Sequence, residues 1–109
     1  MLQDFKYGNY EDANGNPAGG FASGTGFSIT WQNGPLVDPE TGERKPPSGA
    51  FVETIIQVVI EQINYYQQSQ FACEENANAL ASLEEALQQL QARTARREAA
   101  GVEGTHQGN

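Results

Sequence analysis

The sequence predicts an α+β protein, in which a small N-terminal antiparallel β-layer is followed by a long antiparallel helical hairpin that oligomerises through its helices. Three observations support this prediction. Nine of the 12 glycines and all 5 prolines lie in the first 50 residues, where they indicate turns. Apolar and polar residues alternate over residues 27–32, as in a strand. From residue 52 onward apolar residues recur every three or four positions, as in helices.

The composition argues against several classes of protein. The 109 residues include 14 acidic and 6 basic ones, for a net charge of -8, which disfavours binding to nucleic-acid polymers or to anionic membrane surfaces. No apolar run reaches the roughly 18 residues that span a membrane. Cys73 and His106 are the single cysteine and histidine, too few for a disulfide, a zinc site or a catalytic set. We therefore expect no metal, no cofactor and no enzymatic activity.

The first 23 residues are polar and rich in glycine, with Asn-Gly and Asn-Pro steps that are typical of turns. We interpret residues 1–23 as a mobile N-terminal extension and residues 24–109 as a single domain.

The first predicted elements of the domain are short strands. Phe27, Ile29 and Trp31 alternate with polar residues, which predicts a half-buried strand. Leu36–Val37 offers a short return strand, so we expect strands over about residues 27–37. Prolines and glycines then predict a loop that begins at residue 38.

A first helix is predicted over about residues 49–69, with Ser48 as its N-cap. Its β-branched residues leave a strand over 55–60 as the competing interpretation, but the length of the periodic pattern favours a helix. The predicted apolar stripe comprises Val52, Ile55, Ile56, Val59, Ile63 and Tyr66.

A second helix is predicted over about residues 73–100. Acidic residues in its first turn and arginines in its last turn suit the helix dipole, and Gly101 is a natural stop. One heptad seam runs along this helix. The seam residues are Asn76, Leu80, Leu83, Leu87, Leu90, Thr94 and Arg97.

One hairpin with a small β-layer cannot cover the apolar faces of both helices. The first helix carries Phe51, Ile60 and Tyr65 outside its main stripe. We therefore expect hairpins from two or more chains to pack together.

Three of the six basic residues, Arg93, Arg96 and Arg97, lie within five positions. Arg93 and Arg97 share one helix face, where two guanidinium groups can bind a phosphate or pyrophosphate. The alternative interpretation is a solvated helix end with ordinary surface ion pairs.

The polar ends of the heptad seam offer a second indication of a site. In an antiparallel dimer, Asn76 of one chain comes near Arg93 and Arg97 of the other, and Tyr65 or Tyr66 can stack on a flat ring. The alternative is that Asn76 sets the helix register and the tyrosines are ordinary amphipathic residues.

Five sequence blocks over about residues 24–106 resemble the first-described family of phage Thoeris anti-defence proteins. Their order and spacing, more than any single block, carry this resemblance. The blocks are GTGFSI with WQNGP, GAFVE, FACEENA, LEEAL and RTARREAAGVEGTH.

The resemblance implies a non-enzymatic sponge that acts in the cytoplasm of the infected bacterial host. Such a sponge sequesters the 1″–2′ and 1″–3′ glycocyclic ADP-ribose signals of Thoeris TIR enzymes. Some members also bind cyclic di- or trinucleotides of CBASS immunity at separate sites, in hexamers built as trimers of dimers. The alternative is a structural or protein-interaction helical hairpin of a phage.

The resemblance also implies ligand-binding residues. Tyr66, with Tyr65 as the alternative, matches the aromatic residue that stacks on adenine. Asn76 matches an asparagine ligand, and Arg93 and Arg97 match the phosphate-binding pair. Ala100 departs from the arginine that many relatives have. Secondary candidates are Phe71, Thr94 and, for a cyclic-oligonucleotide site, Arg44.

Overall fold

A computed structural model describes residues 1–38 and 40–106 of the chain. A three-stranded antiparallel sheet is followed by two helices that form a hairpin, which confirms the predicted α+β class with its β-layer and helical hairpin. Pro39 of the predicted loop and residues 107–109 of the predicted domain lie outside the described residues.

The chain divides into two compact units. One, here called the sheet unit, comprises Met1–Phe51 and the segment that begins at Val102, and the other, the hairpin unit, comprises Val52–Gly101. None of the helices in the described part of the chain is long and apolar enough to span a membrane.

The sheet consists of β1 (Phe5–Glu11), β2 (Pro17–Gly24) and β3 (Phe27–Trp31), in that spatial order. β1 and most of β2 occupy residues 1–23, which the sequence predicts as a mobile extension. The structure therefore corrects that interpretation: this segment contributes two of the three strands.

Contacts between aromatic rings and glycines explain why this glycine-rich segment forms strands. Gly8 lies opposite Phe21, and Gly24 lies opposite Phe27. A Cβ atom on Gly8 would lie 2.8 Å from Cε1 of Phe21, and one on Gly24 would lie 2.6 Å from Cε1 of Phe27. Each ring thus covers the backbone of the glycine on the neighbouring strand, and a side chain at either glycine would displace it.

The chain between β3 and the first helix returns along the edge of β3. The Ala50 amide donates to the Thr30 carbonyl at 2.7 Å, and the Gln32 amide donates to the Ala50 carbonyl at 3.0 Å. The Asn33 amide donates to Ser48 Oγ at 3.1 Å. Ser48 is therefore not the helix N-cap that the sequence predicts, because its hydroxyl holds this return segment.

The predicted return strand at Leu36–Val37 is also corrected. In the described part of the chain, Val37 forms an isolated bridge with Arg44 and belongs to none of the three strands, the last of which ends at Trp31. The Val37 amide instead donates to the Gly104 carbonyl at 3.0 Å. The segment that begins at Val102, and not a neighbouring strand, thus pairs with the backbone of Val37.

The hairpin consists of α1 (Val52–Gln67) and α2 (Glu74–Ala99). In α2 the seven residues of the predicted heptad seam are buried or half-buried, and every other residue of the helix is exposed. The seam therefore forms as the sequence predicts. Gly101 follows α2 with a φ of 74°, and its amide donates to the Glu98 carbonyl at 3.0 Å, as expected for a helix stop.

The apolar stripe of α1 differs from the prediction. Ile60, which the predicted stripe omits, is 3% exposed and is the one buried hydrophobic side chain in the described part of the chain. Val52, Val59 and Tyr66, which the stripe includes, are all more than 40% exposed. The helix has two apolar faces, and periodicity does not say which of them the hairpin covers.

Candidate functional site

The candidate residues of the hairpin fall at its two ends. Tyr65, Tyr66 and Asn76 lie near the turn that joins α1 to α2, whereas Arg93 and Arg97 lie in the last two turns of α2. A helix rises about 1.5 Å per residue, so Asn76 is roughly 26 Å from Arg93 along α2. One chain therefore does not bring the two groups together.

Exposed aromatic rings surround the turn of the hairpin. Tyr65, Tyr66 and Phe71 are all exposed, and Phe71 most of all, at 70%. The rings of Tyr65 and Tyr66 contact each other edge-on, with centroids 6.1 Å apart. A flat ligand ring can therefore reach an aromatic face at this end of the molecule without any rearrangement of the core.

Hydrogen bonds within the turn hold these rings in defined positions. Ser69 Oγ donates to the Tyr66 carbonyl at 2.6 Å and accepts from the Phe71 amide at 3.1 Å. The backbone on both sides of the turn is thereby fixed to one serine hydroxyl, which restricts the paths that Tyr66 and Phe71 can follow.

The two arginines of the predicted pair differ in their environment. Arg97 is 5% exposed, whereas Arg93 is exposed and has no ion-pair partner among the described residues. The solvated ion pair considered for Arg93 is therefore absent from the described structure, and its five N–H donors are open to a ligand.

Thr94 and Arg44 are less well placed for a ligand. The Thr94 hydroxyl donates to the Leu90 carbonyl at 3.3 Å, within its own helix. Arg44 is exposed in the loop of the sheet unit, where its backbone forms the isolated β-bridge with Val37.

A groove of about 460 Å³ lies between α1 and α2 at the middle of the hairpin. None of the candidate ligand residues lines this groove. Both helices contribute side chains at i, i+3, i+4 and i+7, beside the apolar contact, and this spacing is visible in the sequence only once the contact face is known. The lining residues are Gln57, Ile60, Glu61, Asn64, Glu84, Leu87, Gln88 and Gln91.

The groove lacks a basic side chain among its lining residues and includes two carboxylates. Its charge therefore opposes the binding of phosphate groups. Within the described residues, no group of three or more histidine, cysteine or acidic side chains is arranged to hold a metal ion.

Comparison with known proteins identifies the hairpin. Residues 27–95 match the family model described as the Acb2/Tad1 hairpin domain. The chain belongs to the Acb2/Tad1 hairpin family. The Acb2/Tad1 match begins at the first residue of β3 and ends in the last turns of α2, so it includes Tyr66, Asn76 and Arg93. β1 and β2 lie before it and Arg97 lies beyond it.

A curated relative agrees with the Acb2/Tad1 assignment. The chain is 42% identical over 80 residues to Thoeris anti-defense 1 of Bacillus phage SBSphiJ7, which covers 73% of this chain. The matched segment spans about half, 52%, of the relative's length. The family resemblance inferred from the sequence blocks is thus confirmed.

Proposed function

We propose that this protein sequesters glycocyclic ADP-ribose, the signal made by Thoeris TIR enzymes, without cleaving it. Membership of the Acb2/Tad1 family, with a relative named for Thoeris anti-defence, carries the proposal. The place of action is the cytoplasm of the infected bacterial host, where the signal is made. Sequestration leaves the downstream effector of the immune system without its activator.

The chemistry of the candidate residues suits this ligand. Glycocyclic ADP-ribose carries a doubly charged pyrophosphate, an adenine ring and several hydroxyl groups. We assign the pyrophosphate to Arg93 and Arg97, whose guanidinium groups bind phosphate oxygens in pairs. Tyr66, or Tyr65 as the alternative, stacks on the adenine, and the Asn76 amide hydrogen-bonds to the ligand.

The site requires two copies of the chain. Tyr66 and Asn76 lie at one end of the hairpin and Arg93 lies at the other, so an antiparallel second copy supplies the missing half. The second apolar face of α1, with Val52 and Val59 exposed, supports such a pairing because it leaves a hydrophobic stripe for another chain. Each homodimer then has two equivalent pockets.

Two further features belong to this proposal. The dimers assemble into a hexamer as a trimer of dimers. The hexamer also binds cyclic di- or trinucleotides of CBASS immunity at separate sites, with Arg44 as a candidate ligand. A titration of cyclic trinucleotide into protein already saturated with glycocyclic ADP-ribose tests whether such sites are separate.

Recovery of the ligand distinguishes sequestration from catalysis. The protein is mixed with 1″–3′ glycocyclic ADP-ribose, filtered to measure the free ligand, and then denatured by heat. We expect the free ligand to fall on mixing and intact ligand to return on heating. Recovery of a hydrolysed product contradicts the sponge proposal and indicates an enzyme.

Substitution of Arg93 tests the proposed phosphate contact. Arg93→Ala should weaken binding about tenfold or more, because a charge-assisted hydrogen bond to phosphate is lost. Arg96→Ala is the matched control: it removes the same charge from an exposed residue of the same helix end that is not part of the proposed pair. Equal losses in the two variants indicate a general charge effect and remove Arg93 from the site.

The requirement for two copies is tested by light scattering. The unaltered protein should have at least twice the mass of one chain, and Val59→Glu should lower that mass and weaken ligand binding together. The exposed α1 face also supports the alternative function, an interaction hairpin of a phage. A stable oligomer that shows no thermal shift with any of the nucleotides favours that alternative.

A further inference from the structure

Gln67, the last residue of α1, bridges the turn of the hairpin with its side chain. Its Nε2 donates to the Cys73 carbonyl at 3.1 Å, and its Oε1 accepts from the Cys73 amide at 3.0 Å. One carboxamide thus pairs with both backbone groups of a residue six positions later, as a neighbouring strand would.

The bridged residue is the one at which α2 begins. Cys73 is the N-cap of α2, with extended backbone angles, and its own side chain makes no capping hydrogen bond. Its carbonyl also accepts from the Ala77 amide at 3.2 Å, in the first turn of the helix. Because the usual capping side chain is missing, Gln67 supplies the anchor that sets the start of α2 relative to the end of α1.

Two of the candidate ligand residues at this end lie next to the bridge. Tyr66 directly precedes Gln67, and Asn76 is three residues after Cys73, in the first turn of α2. A change in how α2 starts would move Asn76 relative to Tyr66 while the leucine seam farther along α2 kept its contacts.

We propose that Gln67 is a positioning residue of the ligand site, which holds Asn76 in register with Tyr66 through its two hydrogen bonds to Cys73. The inference rests on the proposed function, because it assigns Gln67 a role in the same site. Gln67 itself does not contact the ligand: its amide is occupied by the Cys73 backbone.

The test measures the affinity for 1″–3′ glycocyclic ADP-ribose by calorimetry in the full chain. Gln67→Met keeps the length of the side chain and removes both hydrogen bonds, and it should weaken binding roughly tenfold. Gln67→Glu keeps an acceptor for the Cys73 amide and loses the donor. Its affinity should therefore lie between that of the unaltered protein and that of Gln67→Met. Gln68→Met is the matched control, since this neighbouring exposed side chain makes no described hydrogen bond, and its affinity should be unchanged.

A double-mutant cycle separates positioning from simple stabilisation of the fold. If Gln67 acts through Asn76, then Gln67→Met in an Asn76→Ala background should weaken binding by less than about twofold. A purely structural role predicts a lower melting temperature, and it predicts that Gln67→Met weakens binding by the same factor in both backgrounds. Circular dichroism at the temperature of the titrations checks that each variant is folded.

The outcomes distinguish this inference from the proposed function. Unaltered protein that binds the ligand, with Gln67→Met of equal affinity or with additive losses in the cycle, overturns the role of Gln67 and leaves the sponge intact. Unaltered protein that binds no glycocyclic ADP-ribose overturns both. Should Gln67→Met fail to fold, the intermediate variant Gln67→Glu carries the same cycle.

Discussion

Different interactions stabilise the sheet unit and the hairpin unit internally. The described part of the sheet unit buries only Gly20, and its strands meet through backbone hydrogen bonds and through rings that cover glycines. The hairpin unit packs one helix against the other along a heptad seam, with Ile60 buried at its centre. The first depends on the absence of side chains at particular positions, and the second depends on their presence.

This difference predicts opposite sensitivities to substitution. Enlarging a small residue should damage the sheet unit, whereas truncating a large one should damage the hairpin unit. The protein offers a separate probe for each unit: the fluorescence of its single tryptophan, Trp31, reports on the sheet, and helical circular dichroism reports on the hairpin.

The largest effect is expected from truncation in the hairpin. Ile60→Ala removes the one buried hydrophobic side chain of the described structure and should lower the free energy of unfolding by about 3 kcal/mol, because a cavity remains. Val58→Ala is the control on the same helix, and since Val58 is exposed its effect should stay below about 0.5 kcal/mol. Urea denaturation followed by circular dichroism measures both. Similar losses in the two variants contradict the assignment of the hairpin's contact face.

An intermediate effect is expected from enlargement in the sheet unit. A Cβ atom on Gly49 would lie 2.5 Å from the Trp31 carbonyl oxygen and 2.6 Å from that of Thr30. Gly49→Ala should therefore separate the return segment from β3 and lower the free energy of unfolding by about 2 kcal/mol, measured by tryptophan fluorescence.

Gly26→Ala is the control for Gly49→Ala. Gly26 has a φ of 88° and open space around it, so only its backbone conformation opposes a side chain, at about 1 kcal/mol. If Gly49→Ala lowers the free energy of unfolding no more than Gly26→Ala does, the return segment can move away from β3 without destabilising the protein. Close backbone approach then does not stabilise the sheet unit.

The smallest effect is expected at the turn between β1 and β2. Asp12 Oδ1 accepts from the amides of Asn16 at 3.0 Å and Asn14 at 2.8 Å, and His106 Nδ1 lies 3.9 Å from Oδ2. The pKa of Asp12 is lowered, first by the backbone hydrogen bond from Asn16 and to a lesser degree by the positive charge of His106.

A lowered pKa makes the contribution of Asp12 dependent on pH. The carboxylate stabilises the folded state fully above the ordinary aspartate pKa of about 4, and this contribution is lost as the pH falls through the lowered value. Asp12→Asn should therefore be slightly less stable than the unaltered protein at pH 7, and the difference should shrink towards pH 3. Fluorescence-monitored denaturation at both pH values measures it. A difference that grows as the pH falls contradicts this assignment.

The candidate site was predicted from the sequence to an unequal degree. Asn76 and Arg97 were placed on one helix face by their heptad spacing, and the structure shows both on the seam of α2. The seam also separates the two arginines, because Arg97 lies on it and is buried whereas Arg93 lies off it and is exposed. The i, i+4 spacing alone places both on the same side of the helix and does not show this difference. The bridge from Gln67 to Cys73 joins residues whose types signal nothing about pairing.

The sequence by itself determined the hairpin and its seam. Helical contacts are local, so the positions of the leucines in α2 specify the buried face before any partner is considered. Only the tertiary structure decided that residues 1–23 contain strands and that Ile60 is the buried residue of α1. Strand pairing joins residues that are distant in the sequence. Whether a glycine such as Gly8 favours a strand therefore depends on the Phe21 ring across from it. α1 has two apolar faces, and packing against α2 buries only the one that contains Ile60.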